Sequence, residues 1–277
     1  MTAEILQLSD LHLFCEAGTL LRGVPTGQSL EQVLELIEER AARCERIVLT
    51  GDLAHDELPA TYLQLRERLT AGNLLEKCLL LPGNHDSRTG MRAAFPRQTD
   101  RCELLPAPRC DSLSRDEQPV LFAVAAGGWH LWGLDSHIPG EVCGRVSDPV
   151  TDWLEEGLQQ HPEVPAAIFL HHPPVVTGSP WLDRLGLLEP ERLLAVLQAA
   201  PQVRLVCCGH IHQDWGTVRG TTRILSAPST CVQFSGSSST PEYEHLPPGV
   251  RLLDLGPEDF STRTLRLPEL RFPPDPA

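Results

Sequence analysis

The chain has 277 residues, of which 41% are hydrophobic and 22% are charged, a composition typical of a globular protein with a substantial core. Its net charge of −14 disfavours polyanions, so nucleic acid is not an expected partner. No apolar run approaches the roughly 18 residues that span a bilayer, so we expect no membrane partner. The nine cysteines lack C-x-x-C spacing, so we expect reduced thiols and a cytoplasmic location.

The first part of the chain alternates short apolar runs with helical patterns. The predicted elements are a strand at 4–9, a helix at 29–44 with Ser29 as its N-cap, a strand at 46–50, a helix at 59–72 and a strand at 77–82. This β-α-β-α-β order predicts a largely parallel sheet that is covered by helices.

The rest of the chain predicts a hairpin, two further strand–helix units and a group of short strands. Gly127-Gly128 separates strands at 120–126 and 129–135, which is a hairpin signal. The later elements are a helix at 148–161, a strand at 166–171, a helix at 189–200, a strand at 203–209, and short strands within 216–226, 230–235, 249–255 and 261–267. We expect a single domain over residues 1–266, followed by a loose tail at 267–277.

Polar residues follow each of the main strands. The carboxyl ends of parallel strands are where ligands bind, so these residues are expected to meet in one place. Solvated loops alone do not explain why all the clusters follow apolar strands and contain no Lys or Arg. The clusters are Asp10-Leu11-His12, Gly51-Asp52, Gly83-Asn84-His85-Asp86, His171-His172 and Gly209-His210-Ile211-His212.

Imidazole, carboxylate and amide groups together suit divalent metal ions. The set is larger than one ion needs and fits two ions that share a carboxylate, an arrangement that cleaves phosphoesters. Iron, manganese and zinc all match this mixture of nitrogen and oxygen ligands. The candidate ligands are Asp10, His12, Asp52, Asn84, His171, His210 and His212.

The five clusters, in this order, resemble the D-x-H, G-D, G-N-H-[DE], H and G-H-x-H motifs of the calcineurin-like metallophosphoesterases, over about residues 4–232. GLDSHIPGEVCGRVSDPVTDWLEEGL (133–158), HHPPVVTGSPWLDRLGL (171–187) and APSTCVQF (227–234) are similar, more narrowly, to class III 3′,5′-cyclic-nucleotide phosphodiesterases. The resemblance implies an α/β fold, a four-layer α-β-β-α sandwich with a dinuclear site at the carboxyl ends of the strands.

The resemblance also implies a role for each motif residue. One ion is expected to bind Asp10, His12, Asp52 and His212, and the other to bind Asp52, Asn84, His171 and His210. His85 stays outside the ligand set and lies over the phosphoryl group. The expected substrate contacts are His12, Asp52, Asn84, His85 and His212.

The implied activity is metal-dependent hydrolysis of 3′,5′-cyclic AMP to 5′-AMP. A hydroxide between two ions attacks in line with the P–O3′ bond, because the pKa of water falls from about 15.7 to around 7 at such a site. His85 is the candidate general acid for the departing alkoxide. The expected partners are a cyclic nucleotide or another small phosphodiester, and a second copy of the chain in a homodimer.

Two other functions stay open. A broader metallophosphoesterase would act on other phosphodiesters, on 2′,3′-cyclic nucleotides or on phosphomonoesters. A non-catalytic scaffold would use the same fold for protein contacts, although the intact ligand set argues against it. The acidic charge and the absence of a basic run argue against a DNA nuclease.

The remaining polar and aromatic residues have ordinary structural interpretations. His172 adjoins a candidate ligand and could support it from outside. Asp56 and Asp86 are interpreted as loop or N-cap residues, and Trp181 is the one tryptophan that could stack on a base. We interpret the other histidines, His55, His130, His137, His161 and His245, as surface or core residues.

Overall fold

The computed structural model describes residues 2–115, 117–257 and 259–276. Among these residues no helix is both long and apolar enough to cross a bilayer. The α-helices are α1 (Thr26–Arg43), α2 (Pro59–Ala71), α3 (Arg88–Ala94), α4 (Asp148–Gln160) and α5 (Glu191–Ala199). The strands are β1 (Ala3–Leu8), β2 (Arg46–Thr50), β3 (Cys78–Leu81), β4 (Arg101–Cys102), β5 (Phe122–Ala126), β6 (Trp129–Gly133), β7 (Ala166–Phe169), β8 (Val203–Cys208), β9 (Trp215–Arg219), β10 (Thr222–Ser226), β11 (Gln233–Phe234), β12 (Tyr243–Glu244), β13 (Gly249–Leu255) and β14 (Phe260–Arg266).

Two large sheets form the middle of the protein. The first has the strand order β14-β13-β1-β2-β3, in which β1, β2 and β3 are parallel. The second has the order β4-β5-β6-β7-β8-β10-β9, in which β6, β7, β8 and β10 are parallel. The antiparallel hairpin of β5 and β6 turns at Gly127-Gly128, as predicted. The predicted parallel β-α-β-α-β unit is also confirmed.

Because side chains alternate between the two faces of a strand, each sheet contributes to two separate hydrophobic core layers. In β1, Ile5 packs between the sheets, whereas Leu6 packs under the helices of the first sheet. Phe122 and Phe169 of the second sheet complete the core between the sheets. Because both faces of each central strand are buried, the strands read as continuous apolar runs.

Helices cover the two outer faces. On the first sheet, α1 and α2 bury residues such as Val33 and Leu65. On the second, α4 and α5 bury residues such as Leu154 and Leu193. The order of layers is therefore α-β-β-α, and the predicted sandwich is confirmed.

Two local predictions are wrong. Helix α1 begins at Thr26 and not after an N-cap at Ser29, because Pro25 precedes its first turn. The buried Ser29 hydroxyl instead donates a hydrogen bond to the Thr230 carbonyl, at 2.6 Å. The predicted strand at 230–235 is reduced to Gln233–Phe234, which pairs only with Tyr243–Glu244.

The segment after β14 is irregular but contacts the body of the protein. Phe272 packs against a cluster of buried side chains that includes Val24 and Val232. The Asp275 N–H donates to the Arg22 carbonyl, at 2.8 Å. The division into one domain and a tail stays a prediction, and its end residues, Met1 and Ala277, lie outside the described residues.

Candidate metal centre

The predicted ligands meet at the carboxyl ends of strands from both sheets. Strand β1 leads to Asp10 and His12, β2 to Asp52, β3 to Asn84, β7 to His171, and β8 to His210 and His212. The first sheet therefore supplies both carboxylates and the amide, and the second sheet supplies three of the four imidazoles. The centre can form only when the two sheets are stacked.

The first half of the centre consists of Asp10, His12, Asp52 and His212, whose ligand atoms all lie within 4.8 Å of one another. His12 Nε2 lies 3.4 Å from Asp52 Oδ2. His212 Nε2 lies 3.5 Å from Asp10 Oδ1. All four side chains are buried, so their polar atoms face one another instead of water.

The second half consists of Asn84, His171, His210 and the other oxygen of Asp52. Asn84 Oδ1 lies 3.2 Å from His171 Nε2 and 3.1 Å from His210 Nδ1. Asp52 Oδ1 lies 3.6 Å from His171 Nε2. Asp52 thus directs one carboxylate oxygen towards each half, which is the geometry of a shared ligand.

Backbone carbonyls hold two of the imidazoles from outside. His171 Nδ1 lies 2.7 Å from the Thr50 carbonyl, and His212 Nδ1 lies 2.8 Å from the Val232 carbonyl. An Nδ1–H that donates to a carbonyl leaves the lone pair of Nε2 directed into the centre. When the rings are neutral, these contacts favour the tautomer that a metal ligand requires.

The backbone is left-handed at most of the ligands. A positive φ is uncommon for residues other than glycine and costs of order 1–3 kcal/mol, so such residues gather at functional sites. His210 is held in this conformation by an N–H bond to Asp10 Oδ1, at 3.0 Å. The φ angles are 56° at Asp10, 46° at His12, 52° at Asp52, 68° at His210 and 50° at His212.

Two glycines allow the motif loops to approach closely. A Cβ atom on Gly83 would overlap Asp52 Oδ1, and a Cβ atom on Gly209 would overlap the Ser9 hydroxyl. Any side chain at either position would push a ligand out of place. The G-N-H and G-H-x-H motifs therefore begin with glycine for a steric reason.

The charges of the centre divide between its halves. Burial opposes ionisation of Asp52, but His171 and His12 hold the pKa of its carboxyl well below the usual range. Burial also opposes charge on His171, yet the adjacent Asp52 and Asp10 raise its pKa to about 9. Burial and the nearby His171 lower the pKa of His210 to about 3. One charged pair, Asp52 with His171, thus forms beside neutral imidazoles.

The donor set fits two divalent ions. His12 Nε2 and His212 Nε2 face each other at 3.1 Å, which places two ring nitrogens where a cation would bind. Asp10 Oδ2 is buried without a hydrogen-bond partner among the described residues. Orphaned buried acceptors are costly unless something compensates them. The chain therefore carries a possible dinuclear site, with Asp52 as the shared residue.

His85 lies beside the ligands, and one of its ring nitrogens lies within 4.8 Å of ring nitrogens of His12 and His55. Its ring contacts that of His12, with 5.1 Å between centroids, and its N–H donates to Asp52 Oδ1 at 2.8 Å. The side chain is half-buried, so a substrate can reach it. That His85 stays outside the ligand set remains a prediction.

His55 was interpreted as an ordinary surface or core histidine, but the structure brings it into the site. Its ring stacks on that of His85, with centroids 4.4 Å apart and an angle of 20°. Its Nδ1 lies 3.0 Å from Nδ1 of His12. The signal in the sequence was its place three residues after Asp52, on the same strand end.

Two of the other histidines are buried near the centre: His172, whose ring contacts those of His171 and His210, and His137, whose Nδ1 has no hydrogen-bond partner among the described residues. His172 Nδ1 lies 2.8 Å from the Ser136 hydroxyl and its Nε2 lies 3.0 Å from the Val142 carbonyl, so it supports His171 and His210 from outside. His130 and His161 contact each other, His137 is buried, and His245 is exposed.

Asp86 is buried and serves the loops around the centre. Its carboxylate accepts hydrogen bonds from the N–H groups of Gly83, Leu53 and Ala54 and from the Tyr62 hydroxyl. The N-cap of α3 is Ser87 instead, whose hydroxyl accepts the Gly90 N–H. Asp86 therefore joins the loop of Asp52 to that of Asn84.

Trp181 is a packing residue. Its side chain is only 8% exposed and packs with Leu182 and Ile211. Its ring meets the edge of Phe234, which in turn stacks on His212 with centroids 4.0 Å apart. Trp181 thus supports a ligand through Phe234, and no face of it is free for a base.

Sequence comparisons identify relatives that match nearly the whole chain. The calcineurin-like phosphoesterase family model matches residues 3–214. The 3′,5′-cyclic adenosine monophosphate phosphodiesterase CpdA of Pseudomonas aeruginosa is 38% identical over 251 residues, covering 91% of this chain and 85% of the relative. CpdA of Escherichia coli K12 is 35% identical over 275 residues, covering 99% and 93%. The 3′,5′-cyclic-nucleotide phosphodiesterase alr5338 of Nostoc sp. is 34% identical over 266 residues, covering 96% and 92%.

Solved structures share the fold at low sequence identity. A dimetal phosphatase from Danio rerio superposes with a TM-score of 0.59 at 14% identity, covering 94% of this chain and 98% of that one. The purple acid phosphatase PPD1 of yellow lupin superposes with a TM-score of 0.61 at 12% identity, covering 96% of this chain and 52% of that one. Together with the family match over most of the length, these findings show that the chain belongs to the calcineurin-like phosphoesterases.

Proposed function

We propose that this protein hydrolyses 3′,5′-cyclic AMP to 5′-AMP with two bound divalent ions. The observation that carries the proposal is the position of Asp52, which directs one oxygen towards each of two ligand groups. The relatives that are named cyclic AMP phosphodiesterases match the chain over most of its length and theirs, which supports this substrate.

The residues proposed to hold the ions follow the two halves of the centre. Asp10, His12 and His212 would bind one ion, Asn84, His171 and His210 would bind the other, and Asp52 would bind both. When bound, the ions supply an activated water nucleophile and neutralise charge that develops on the phosphoryl group. Iron, manganese and zinc are the ions we propose, because imidazole and carboxylate ligands suit them.

The chain's own residues would complete the reaction. His85 is half-buried at the edge of the centre and is proposed to donate a proton to the departing O3′ alkoxide. The amide of Asn84 is proposed to orient the phosphoryl group beside the second half. The proposed substrate contacts are His12, Asp52, Asn84, His85 and His212. The buried walls of the centre exclude other water from it.

The location and assembly of the protein are also proposals. All nine cysteines are free thiols, and five of them are buried, which supports a cytoplasmic location. The homodimer stays a prediction from the sequence. Light scattering at several protein concentrations would measure the mass in solution and so test it.

Substrate choice is tested by comparing kcat/KM on four compounds with Mn²⁺ present. The compounds are cyclic AMP, cyclic GMP, 2′,3′-cyclic AMP and bis-p-nitrophenyl phosphate. Preference for cyclic AMP supports the proposal. Equal rates on all four indicate the broader phosphoesterase, and no turnover of any of them at full metal loading indicates a non-catalytic scaffold.

The acid role is tested with His85→Ala. A proton transfer of this kind contributes roughly 10²–10⁴-fold, so kcat on cyclic AMP should fall at least tenfold. Metal content, measured by elemental analysis, should not change because His85 is no ligand. An unchanged kcat would remove His85 from the acid role.

A further inference from the structure

We propose that His55 is a positioning residue that acts on two neighbours at once: it holds His12 in its ligand tautomer and fixes the ring plane of His85. The proposal rests on the function proposed above. Two contacts carry it, a hydrogen bond to the first histidine and a ring stack on the second. Because these contacts are different in kind, they can be removed one at a time.

The backbone places the His55 ring firmly. Its N–H donates to the Leu13 carbonyl at 2.8 Å, and the Leu13 N–H donates to the Leu53 carbonyl at 3.0 Å. These bonds join the strand end that carries His12 to the strand end that carries Asp52. The imidazole therefore leaves a fixed backbone and lies beside Phe14, with 4.9 Å between ring centroids.

The contact with His12 indicates which ring nitrogen of His12 carries the hydrogen. The Nε2 atom of His12 faces Asp52 and His212 inside the centre, at 3.4 and 3.1 Å. When Nε2 binds an ion, the hydrogen of the neutral ring is on Nδ1, which donates it to Nδ1 of His55, 3.0 Å away. In this protein an imidazole thus takes the place that a carbonyl takes behind His171 and His212. Partners of this kind typically change metal affinity or activity about 10–100-fold.

The contact with His85 adds a stacked face to a ring that also meets the His12 ring edge to face. The His85 backbone is anchored by its N–H bond to Asp52 Oδ1, but a backbone bond does not fix the ring. The nearly parallel stack with His55, at 4.4 Å and 20°, restricts rotation about the bond between Cβ and the ring. A general acid acts only within hydrogen-bond reach of its leaving group, so ring orientation governs kcat.

Two substitutions separate these contacts. His55→Phe keeps a ring to stack on His85 and removes the acceptor for His12. His55→Asn keeps a side-chain acceptor and removes the stack. The same two changes at His161, which contacts His130 and follows the C-terminal end of α4, are the matched controls.

Binding of Mn²⁺ to the metal-free protein, measured by titration calorimetry, tests the contact with His12. His55→Phe should weaken one of the two sites by ~10-fold or more, and His55→Asn should weaken it less. This measurement needs no substrate. It therefore tests His55 even if the protein proves inactive on cyclic AMP, a result that would contradict only the proposed function.

Turnover at saturating Mn²⁺ tests the contact with His85. His55→Asn should lower kcat on cyclic AMP by ~10-fold with little change in KM, and His55→Phe should lower it less. The loss should be smaller on bis-p-nitrophenyl phosphate, whose p-nitrophenolate leaving group needs no proton. A general structural defect would instead lower the rate on both substrates equally.

The outcomes distinguish the proposal from a merely structural role. Opposite patterns in the two variants, with metal affinity lost in one and kcat in the other, support it. Equal losses of Mn²⁺ affinity and of kcat in both variants overturn it. It is also overturned if both variants keep a Mn²⁺ affinity and a kcat within twofold of the parent. Losses of the same size in the His161 controls would also overturn it.

Discussion

The two halves of the metal centre use different means to gather their ligands. The first half combines two carboxylates, Asp10 and Asp52, with neutral imidazoles on left-handed backbone. The second half has only the shared carboxylate, and adds the amide of Asn84 and the charged imidazole of His171. A divalent ion should therefore bind the first half more tightly, since ligand charge there is greater.

The two halves also differ in how their charges are stabilised when no ion is bound. Burial lowers the pKa values of His12 and His212, so the first half stays neutral at its imidazoles and keeps its carboxylates close only at a cost in strain. The second half neutralises itself through the pair of His171 and Asp52. Without an ion, the first half keeps its carboxylates beside neutral imidazoles, whereas in the second half the protonated His171 neutralises Asp52.

The largest effect is expected at the residue that both halves share. Asp52→Asn removes the carboxylate that faces each group, so both ions should be lost together and kcat should fall at least ~10³-fold. Elemental analysis and turnover of cyclic AMP measure the two losses. Asp152→Asn, on the exposed face of α4, is the control. Retention of one ion would show that the halves are independent.

The pH dependence of the metal-free protein should come from the second half. The pKa of His171 is raised to about 9 in the folded protein, against about 6.5 when unfolded. Its stabilisation is therefore complete below pH 6.5 and is lost as the pH rises through 9, by about 3 kcal/mol. Urea unfolding in EDTA at pH 6 and pH 10 measures this difference.

Two controls accompany the pH experiment. His171→Asn should abolish the dependence, since the titrating group is gone. Added Mn²⁺ should reverse its direction, because a metal binds only the neutral imidazole and so binds better as the pH rises. Equal dependence in the variant and the parent would mean that another group is responsible.

Selective loss of one ion should follow a change at the amide. Asn84→Ala removes the oxygen that lies near His171 and His210, two candidate ligands of the second half. The second ion should bind about 10–100-fold more weakly while the first is retained. Titration calorimetry with Mn²⁺ resolves the two sites. Equal weakening of both would contradict the division into halves.

The smallest effect is expected from the ring that supports the first half from outside. Phe234→Leu keeps apolar volume but removes the stack on His212, which is worth ~0.5–1.5 kcal/mol. The first ion should then bind about 2–10-fold more weakly, as Mn²⁺ titration would show. Phe260→Leu, which removes an aromatic contact with Trp129 elsewhere, is the matched control.

The sequence predicted correctly that the candidate ligands come together, because polar residues follow the ends of the strands. Asp10, Asn84 and His210 each follow an apolar run, and parallel topology brings such ends together. It failed where a role depends on contact across the fold. Asp86 lies in a loop, as expected, but the sequence does not indicate that its carboxylate accepts hydrogen bonds from two loops.

Trp181 illustrates the same limit for aromatic side chains. Its position in the loop after His171 suggested a base-stacking surface, but the tertiary structure buries it behind Phe234. The exposure of an aromatic ring depends on which segments pack over it. Those segments are the loop after β8, β9 and β11, which are distant from Trp181 in sequence.

The amino-acid sequence by itself determined most of the strands, the parallel β-α-β-α-β unit and the candidate ligands, because hydrophobic periodicity and strand-end chemistry are local properties. Only the tertiary structure decided which ligand faces which, that Asp52 lies between two groups, and that His55 contacts both His12 and His85. These relations depend on how the two separate sheets stack and on left-handed turns at the candidate ligands. No local sequence pattern indicates either feature.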